Sequence, residues 1–194
     1  MKRRVLLTAA AAALMLAACG KEASTSSDKP AGAQVPVSLD TIAAQAKGFN
    51  VGSTMSTRVV YVFFDPQCPH CAALWEASKP LKAQARFVWI PVGLIGEKSV
   101  AQGATILAAA DPVATMEQNE ASVRDKQGGI TAMGAADAQK EAIKRNTQLL
   151  TAFGFGGVPT VVAKHAVNGE LVTIDGALPT QPLAQRLGLN APAS

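Results

Sequence analysis

Six apolar residues, Val59-Val60-Tyr61-Val62-Phe63-Phe64, run without a polar break toward a pair of cysteines in Cys68-Pro69-His70-Cys71. A continuous β-branched and aromatic run of this kind is a strand that needs cover on both faces, so it calls for a sheet with helices packed over it. A strand that feeds a CxxC pair into a helix presents the first sulfur at the helix N-terminus. Unpaired backbone N–H groups and the positive end of the helix dipole meet there, which stabilises a thiolate and lowers the thiol pKa. Such a cysteine is both nucleophile and leaving group, as disulfide exchange requires.

Two structural roles compete with chemistry for this pair. A closed zinc site needs four ligands, whereas the chain has three cysteines, two histidines and no second CxxC, and His165 lies far off in sequence. An inert disulfide across so short a loop constrains the unfolded chain little. Cys68 and Cys71 are therefore read as a redox pair, with no metal and no cofactor expected.

The chain begins with Lys2, Arg3 and Arg4 followed by an apolar segment, Val5 to Leu16. This is the pattern of an export signal, too short to span a bilayer comfortably as a helix. Leu16-Ala17-Ala18-Cys19 resembles the lipobox of bacterial lipoprotein signals, which implies a lipid on Cys19 and cleavage before it; an ordinary cleavage site with a free cysteine is the alternative. Gly20, rather than an aspartate, follows the cysteine and favours the outer membrane. Loss of residues 1–18 removes three of the 18 basic side chains and none of the 14 acidic ones, leaving 15 against 14, a net +1. No basic patch remains to suggest nucleic acid as a partner. With Cys19 lipidated, Cys68 and Cys71 are the remaining thiols, and in an oxidising compartment they have each other as partner.

The expected organisation is a signal peptide (1–18), a solvated tether (19–34), one folded domain (35–187) and a frayed tail (188–194). Ser38 or Asp40 can cap a short helix within residues 35–46. Residues 58–64 form the buried strand, and a helix from 69 to about 85 is broken or kinked at Pro80. A second strand covers 86–92. A helix is expected over 99–110, and Asp111-Pro112 reads as an N-cap and first helical residue for another, to about 125. Residues 135–153 are amphipathic, with Ala142, Ile143, Leu149, Leu150 and Phe153 on one side and Lys140, Glu141, Lys144 and Arg145 on the other. Strands at 160–164 and 171–174 flank the hairpin signal Asn168-Gly169. A short helix over 179–187 closes an α/β domain with helices on its sheet faces.

That order, with CPHC at the first helix and Gly157-Val158-Pro159-Thr160 ahead of the hairpin, resembles the thioredoxin fold with a helical block inserted between the second strand and the proline hairpin. The stretch from Val59 through Cys71, with Trp75, Ile90-Pro91-Val92-Gly93 and Ile106 to Pro112, resembles the catalytic domain of the periplasmic DsbC/DsbG disulfide isomerase family, on its DsbG side, over residues 58–187. The resemblance implies that Cys68 is the exposed nucleophile and Cys71 the resolving thiol. It implies a cis Val158-Pro159 bond in a loop where Val158, Pro159 and Thr160 meet an incoming peptide strand; a trans proline opening a strand is the alternative. His70 could stabilise the Cys68 thiolate, or be an exposed turn histidine without a role. His165 reads as structural or surface.

Three departures from the family pattern bear on function. About twenty residues separate the tether from the first strand, leaving no room for the family's N-terminal dimerisation domain, so a monomer is expected. CPHC and a valine before the proline resemble the oxidant DsbA more than the isomerases. The position six residues before the first cysteine, where thioredoxin buries an acid, is Val62, so the proton acceptor for Cys71 is unidentified, with Glu76 on the same helix as a candidate. The expected function is a periplasmic thiol:disulfide oxidoreductase of reductase or isomerase type. Its expected partners are cysteine-containing envelope proteins, a membrane redox partner, and the membrane itself through the lipid. A DsbA-like dithiol oxidase, a chaperone-like binding lipoprotein with secondary thiol chemistry, and a copper metallochaperone are the alternatives.

Overall fold

The computed structural model describes residues 34–134 and 137–191. The expected signal peptide, Cys19, the tether up to residue 33 and the last three residues of the tail lie outside the described residues. The strand anticipated from its apolar run, β2 (Val59–Phe64), sits at the centre of a five-stranded sheet of order β1-β3-β2-β4-β5. It pairs in parallel with β3 (Arg86–Pro91) and antiparallel with β4 (Thr160–Lys164), while β5 (Leu171–Asp175) forms a hairpin with β4. The short edge strand β1 (Phe49–Gly52) runs antiparallel to β3, with Phe49 opposite Trp89. It is the one strand missing from the sequence reading. Four residues ending in a glycine carry too little periodicity to declare a strand, and it is the pairing with β3 that makes it one.

The alternation of β2 divides the core. Val60, Val62 and Phe64 join a cluster that includes Phe87, Trp89, Leu74, Trp75 and Leu183, whereas Tyr61 and Phe63 join Ile42, Ile90, Leu149, Leu150 and Phe153 on the opposite face. On the first face lie α2 (Pro69–Ser78) and α6 (Thr180–Leu187); on the second lie α1 (Leu39–Gln45) and α5 (Asp137–Ala152). Helix α2 gives way at Lys79–Leu81 to a single 3₁₀ turn, where Pro80 lacks the N–H that would continue the ladder. The two tryptophans, Trp75 on α2 and Trp89 on β3, meet edge to face with ring centroids 5.0 Å apart.

Between β3 and β4 the chain inserts α3 (Glu97–Ala108), α4 (Pro112–Arg124) and α5, as expected for the helical block. Asp111 caps α4, its carboxylate accepting from the Ala114 amide at 3.0 Å, with Pro112 at the first helical position. Ser38, not Asp40, is the cap of α1, accepting from the Thr41 amide at 3.3 Å. Inside the apolar side of α5 lies Asn146, fully buried. Its carbonyl oxygen accepts from the Lys47 amide at 2.9 Å, and its amide donates to the carbonyls of Lys47 and Pro91, both at 2.8 Å. One side chain thus joins α5 to β3 and to the connection between α1 and β1.

Asn146→Ala is expected to lower stability by about 2–4 kcal/mol, since it leaves buried backbone groups unpaired and opens a small void. The shift of the urea unfolding midpoint at constant slope measures it.

Candidate redox site

Cys68 stands at the N-cap of α2 with an extended backbone (φ −92°, ψ 114°), between the C-terminal end of β2 and the first helical turn. Its amide donates to the Asp65 carbonyl at 3.0 Å, and its own carbonyl accepts from the amides of Cys71 and Ala72. The β2–α2 turn is held by Asp65, whose fully buried carboxylate accepts from the amides of Gln67 at 2.9 Å, Leu94 at 2.8 Å and Ile95 at 2.9 Å. Asp65 therefore locks the loop after β3 to the loop that carries the cysteine. The sequence reading gives Asp65 no role; an aspartate directly after the buried strand β2 was the available signal.

Both cysteines are free thiols and both are buried, so the exposure expected of Cys68 is confined to 7% of its surface, while Cys71 has none. The Cys68 pKa is brought down to about 6, first by a hydrogen bond from the Cys71 thiol, against burial, and then by the amides of Cys71 and His70 and the charge of His70. Cys71 moves the other way. Burial holds its thiol well above the ordinary value, and the hydrogen bond to Cys68, the Cys68 charge and the carboxylate of Glu120 push in the same direction. At neutral pH the site is a thiolate at Cys68 beside a protonated Cys71. His70 is exposed on the first turn of α2, and its charge is the smallest of the five influences on Cys68.

The proline loop closes the site from the β4 side. The Val158-Pro159 bond is cis, and the Cys68 sulfur lies 3.6 Å from the Val158 carbonyl oxygen, to which it can donate when protonated. Thr160 is buried, with its hydroxyl donating to the Gly157 carbonyl at 2.8 Å, and the Pro159 carbonyl accepts from the Gly176 amide. Val158, Pro159 and Thr160 thus lie together at the start of β4, with Val158 facing Cys68. His165 belongs to the β4–β5 turn, its Nδ1 accepting from the Val167 and Asn168 amides at 3.4 Å, remote from the thiols in the fold.

Behind the cysteines a polar layer joins the β2–α2 turn to the helical block. The Gln67 side chain donates to the Gly128 carbonyl at 2.7 Å and to Gln102, which in turn donates to the carbonyls of Gly128 and Ile130. Asn119 donates to the Pro66 carbonyl at 2.9 Å and accepts from the Ile130 amide at 3.0 Å. Gly129 has a φ of +80°, and a Cβ there would stand 2.6 Å from the Asn119 side-chain oxygen, so only glycine fits this close approach.

Glu76, the candidate acceptor on α2, points to the surface, where it pairs with Lys79 at 2.8 Å and with Arg124. The Trp75 indole and Lys79 both donate to Glu117 at 2.7 Å, extending this surface pairing. Besides Asp65, whose carboxylate is taken up by three amides, the buried carboxyl that acts on the thiols through its charge is Glu120 of α4, whose pKa burial raises to about 8. Among the described residues, no group of three histidines, cysteines or acids lies together to hold a metal ion.

A strand–CxxC–helix unit beside a cis-proline loop, in a sheet covered on both faces, defines a thiol-bearing protein of thioredoxin fold. The model of the thioredoxin-like domain family matches residues 50–189, and the chain belongs to that family. The chain is 31% identical over 141 residues to the thiol:disulfide interchange protein DsbG of Pseudomonas aeruginosa, covering 71% of this chain and 54% of that protein. DsbG of Escherichia coli is 34% identical over 107 residues, 53% of this chain and 42% of that one. The chain thus spans about half the length of these curated relatives. A periplasmic thioredoxin-like protein from Salmonella enterica serovar Typhimurium superposes with a TM-score of 0.63 at 20% identity, covering 79% of this chain and 97% of that one, which bears on the fold alone.

Two measurements check the electrostatics. In Cys71→Ala the thiolate absorbance of Cys68 should titrate well above pH 6, toward the ordinary thiol range, because the largest influence on it is gone; Cys71→Ser, which keeps a donor hydroxyl, should move it less. Glu120 ionises at about 4.5 when unfolded and at about 8 when folded, so the unfolded state loses the proton first as pH rises. Its contribution to stability is complete below pH 4.5 and declines up to about pH 8. Glu120→Gln should therefore match the parent at pH 4 and exceed it by a few kcal/mol at pH 8, at about 1.4 kcal/mol per unit of separation. Denaturant unfolding of both proteins in the same redox state reads this difference.

Proposed function

We propose that the protein exchanges disulfides with cysteine-containing proteins of the cell envelope, through Cys68 as nucleophile and Cys71 as resolving thiol. The observation that carries this reading is the placement of Cys68 at the N-cap of α2 beside the cis Val158-Pro159 loop, with Cys71 fully buried one turn on. The thiols are accordingly displaced in opposite directions, Cys68 down and Cys71 up. In the first step the Cys68 thiolate attacks a substrate disulfide, forms a mixed disulfide and releases one substrate sulfur as thiolate. In the second, Cys71 attacks Cys68, the intramolecular disulfide forms, and the substrate leaves with its disulfide reduced to two thiols. The same steps run backward oxidise a dithiol. An extended substrate segment lies along the loop of Val158, Pro159 and Thr160, where Val158 is the partly exposed member and the buried Pro159 and Thr160 hold the loop in place. His70 assists the Cys68 thiolate through its charge.

The likeness to DsbG supports the reductase or isomerase direction, with a membrane redox partner that keeps the pair reduced. The low Cys68 pKa favours the opposite direction, since a stabilised thiolate makes the reduced form more stable and the protein more oxidising. A dithiol oxidase is therefore the second reading. In either case the domain of residues 35–187 works in the periplasm as a monomer, tethered by residues 19–34 to a lipid on Cys19 after removal of residues 1–18, with the outer membrane favoured.

Cys71→Ala in cells should accumulate mixed disulfides between Cys68 and envelope proteins, seen as high-mass bands that a reductant collapses. Cys68→Ala should show none. If neither variant forms adducts, and the resting pair never changes state under added reductant or oxidant, exchange is not the function. Acid quenching and thiol alkylation of the parent protein decides the direction: a mostly reduced pair marks a reductase or isomerase, a mostly oxidised pair an oxidase.

A further inference from the structure

The exchange steps leave one buried carboxyl without a part, Glu120. It is one of the inward residues of α4, the helix that packs against α2, and it is fully excluded from solvent. Its neighbour Asn119 donates to the Pro66 carbonyl at 2.9 Å, two residues before Cys68, and to the Glu120 Oε1 atom at 3.1 Å, so this point of α4 is tied to the turn that carries the nucleophile. The other carboxyl oxygen, Oε2, has no hydrogen-bond partner among the described residues. A buried carboxyl oxygen without a partner is costly and calls for a role.

Resting on the exchange chemistry proposed above, we propose that Glu120 accepts the Cys71 proton in the step that resolves the mixed disulfide. The proton passes from the Cys71 sulfur to the Glu120 carboxylate. The freed electron pair forms the bond from Cys71 to the Cys68 sulfur, and the bond between Cys68 and the substrate sulfur breaks. That sulfur leaves as a thiolate and is protonated by solvent. Cys68 and Cys71 are thereby oxidised to a disulfide and the substrate is reduced, with no further reagent. In the reverse direction the carboxyl returns its proton to Cys71.

The groups acting on Glu120 make it responsive to the state of the pair. Burial raises its pKa to about 8, the Asn119 amide lowers it, the Cys68 thiolate raises it, and Arg124 and Asp65 act in opposite senses. The polar residues that α3 turns inward, Ser99, Gln102 and Thr105, are uncharged, and β1 (Phe49–Gly52) has no titratable residue. Once Cys68 is in a mixed disulfide its negative charge is gone, so Glu120 ionises more readily in the intermediate than in the dithiol. The base is then available at the step that needs it, with a pKa near the working pH. Sequence placed the expected acid at position 62 of β2 and found valine; the fold supplies a carboxyl from the helical block.

The test uses the full chain with Cys68 joined to glutathione, and follows glutathione release by stopped flow from pH 5 to pH 9. Glu120→Gln should release glutathione about a hundredfold more slowly at pH 7, at the lower edge of what a general base contributes. Its rate should rise only as Cys71 ionises unaided, so the two proteins converge at high pH, and Glu120→Asp should restore part of the rate. A folded Glu120→Gln protein with the parent rate and pH profile overturns the role of Glu120 while leaving exchange intact. A parent protein that never releases glutathione overturns exchange itself, and the role of Glu120 with it. Should Glu120→Gln not fold, NMR titration of the Glu120 carboxyl in the parent decides: a lower apparent pKa with Cys68 blocked supports the assignment, and an unchanged one overturns it.

Discussion

Burial of β2 on both faces is the constraint on which the site depends. Val60, Val62 and Phe64 pack toward α2 and α6, Tyr61 and Phe63 toward α1 and α5, and neighbours on both edges take up the backbone. A strand held on four sides has one free end from which to present chemistry, and Cys68 stands just beyond it. Asp65 carries that rigidity into the turn through three backbone amides, so the sulfur is placed by the sheet rather than by a pliable loop. Rigid placement matters because the Cys71 thiol must point its hydrogen at Cys68 for the nucleophile to be ionised near pH 7.

The helical block adds electrical insulation to this frame. It brings Gln67, Gln102, Asn119 and the Gly128-Gly129 turn together, and the one titratable group beside them, Glu120, keeps its proton up to about pH 8. The surface charges of α2 and α4 are disposed of elsewhere, in the pairing of Lys79 with Glu76 and Glu117 and of Arg124 with Glu76. Salt therefore screens the outer pairs readily and the inner carboxyl hardly at all.

Most of the scaffold was legible because its signals are local. The apolar run of β2, the break at Pro80, the cap at Asp111-Pro112 and the Asn168-Gly169 turn each declare themselves within a few residues. The thiol pair was legible for the same reason. What escaped is burial imposed by distant partners. On α4 the inward residues are Met116, Asn119, Glu120 and Val123, a regular helical spacing, but two of the four are polar and the stripe reads as solvent-facing. Asn146 hides on α5 in the same way, and β1 exists only through its pairing with β3. Glu76 looked nearer in sequence to Cys71 than Glu120, yet the helix turns it outward.

The contact between Trp75 and Trp89 has an optical consequence. Trp75 is four residues beyond Cys71 on α2, hence on the same helix face, and these are the only two tryptophans in the chain. Their rings meet edge to face, out of reach of solvent and in the same core cluster as Cys68 and Cys71, so essentially all indole emission originates from one buried pair that shares the core of the sulfur chemistry. A disulfide quenches indole emission more strongly than a dithiol does. The molecule thus carries a built-in lamp whose brightness follows the oxidation state of Cys68 and Cys71, without any label.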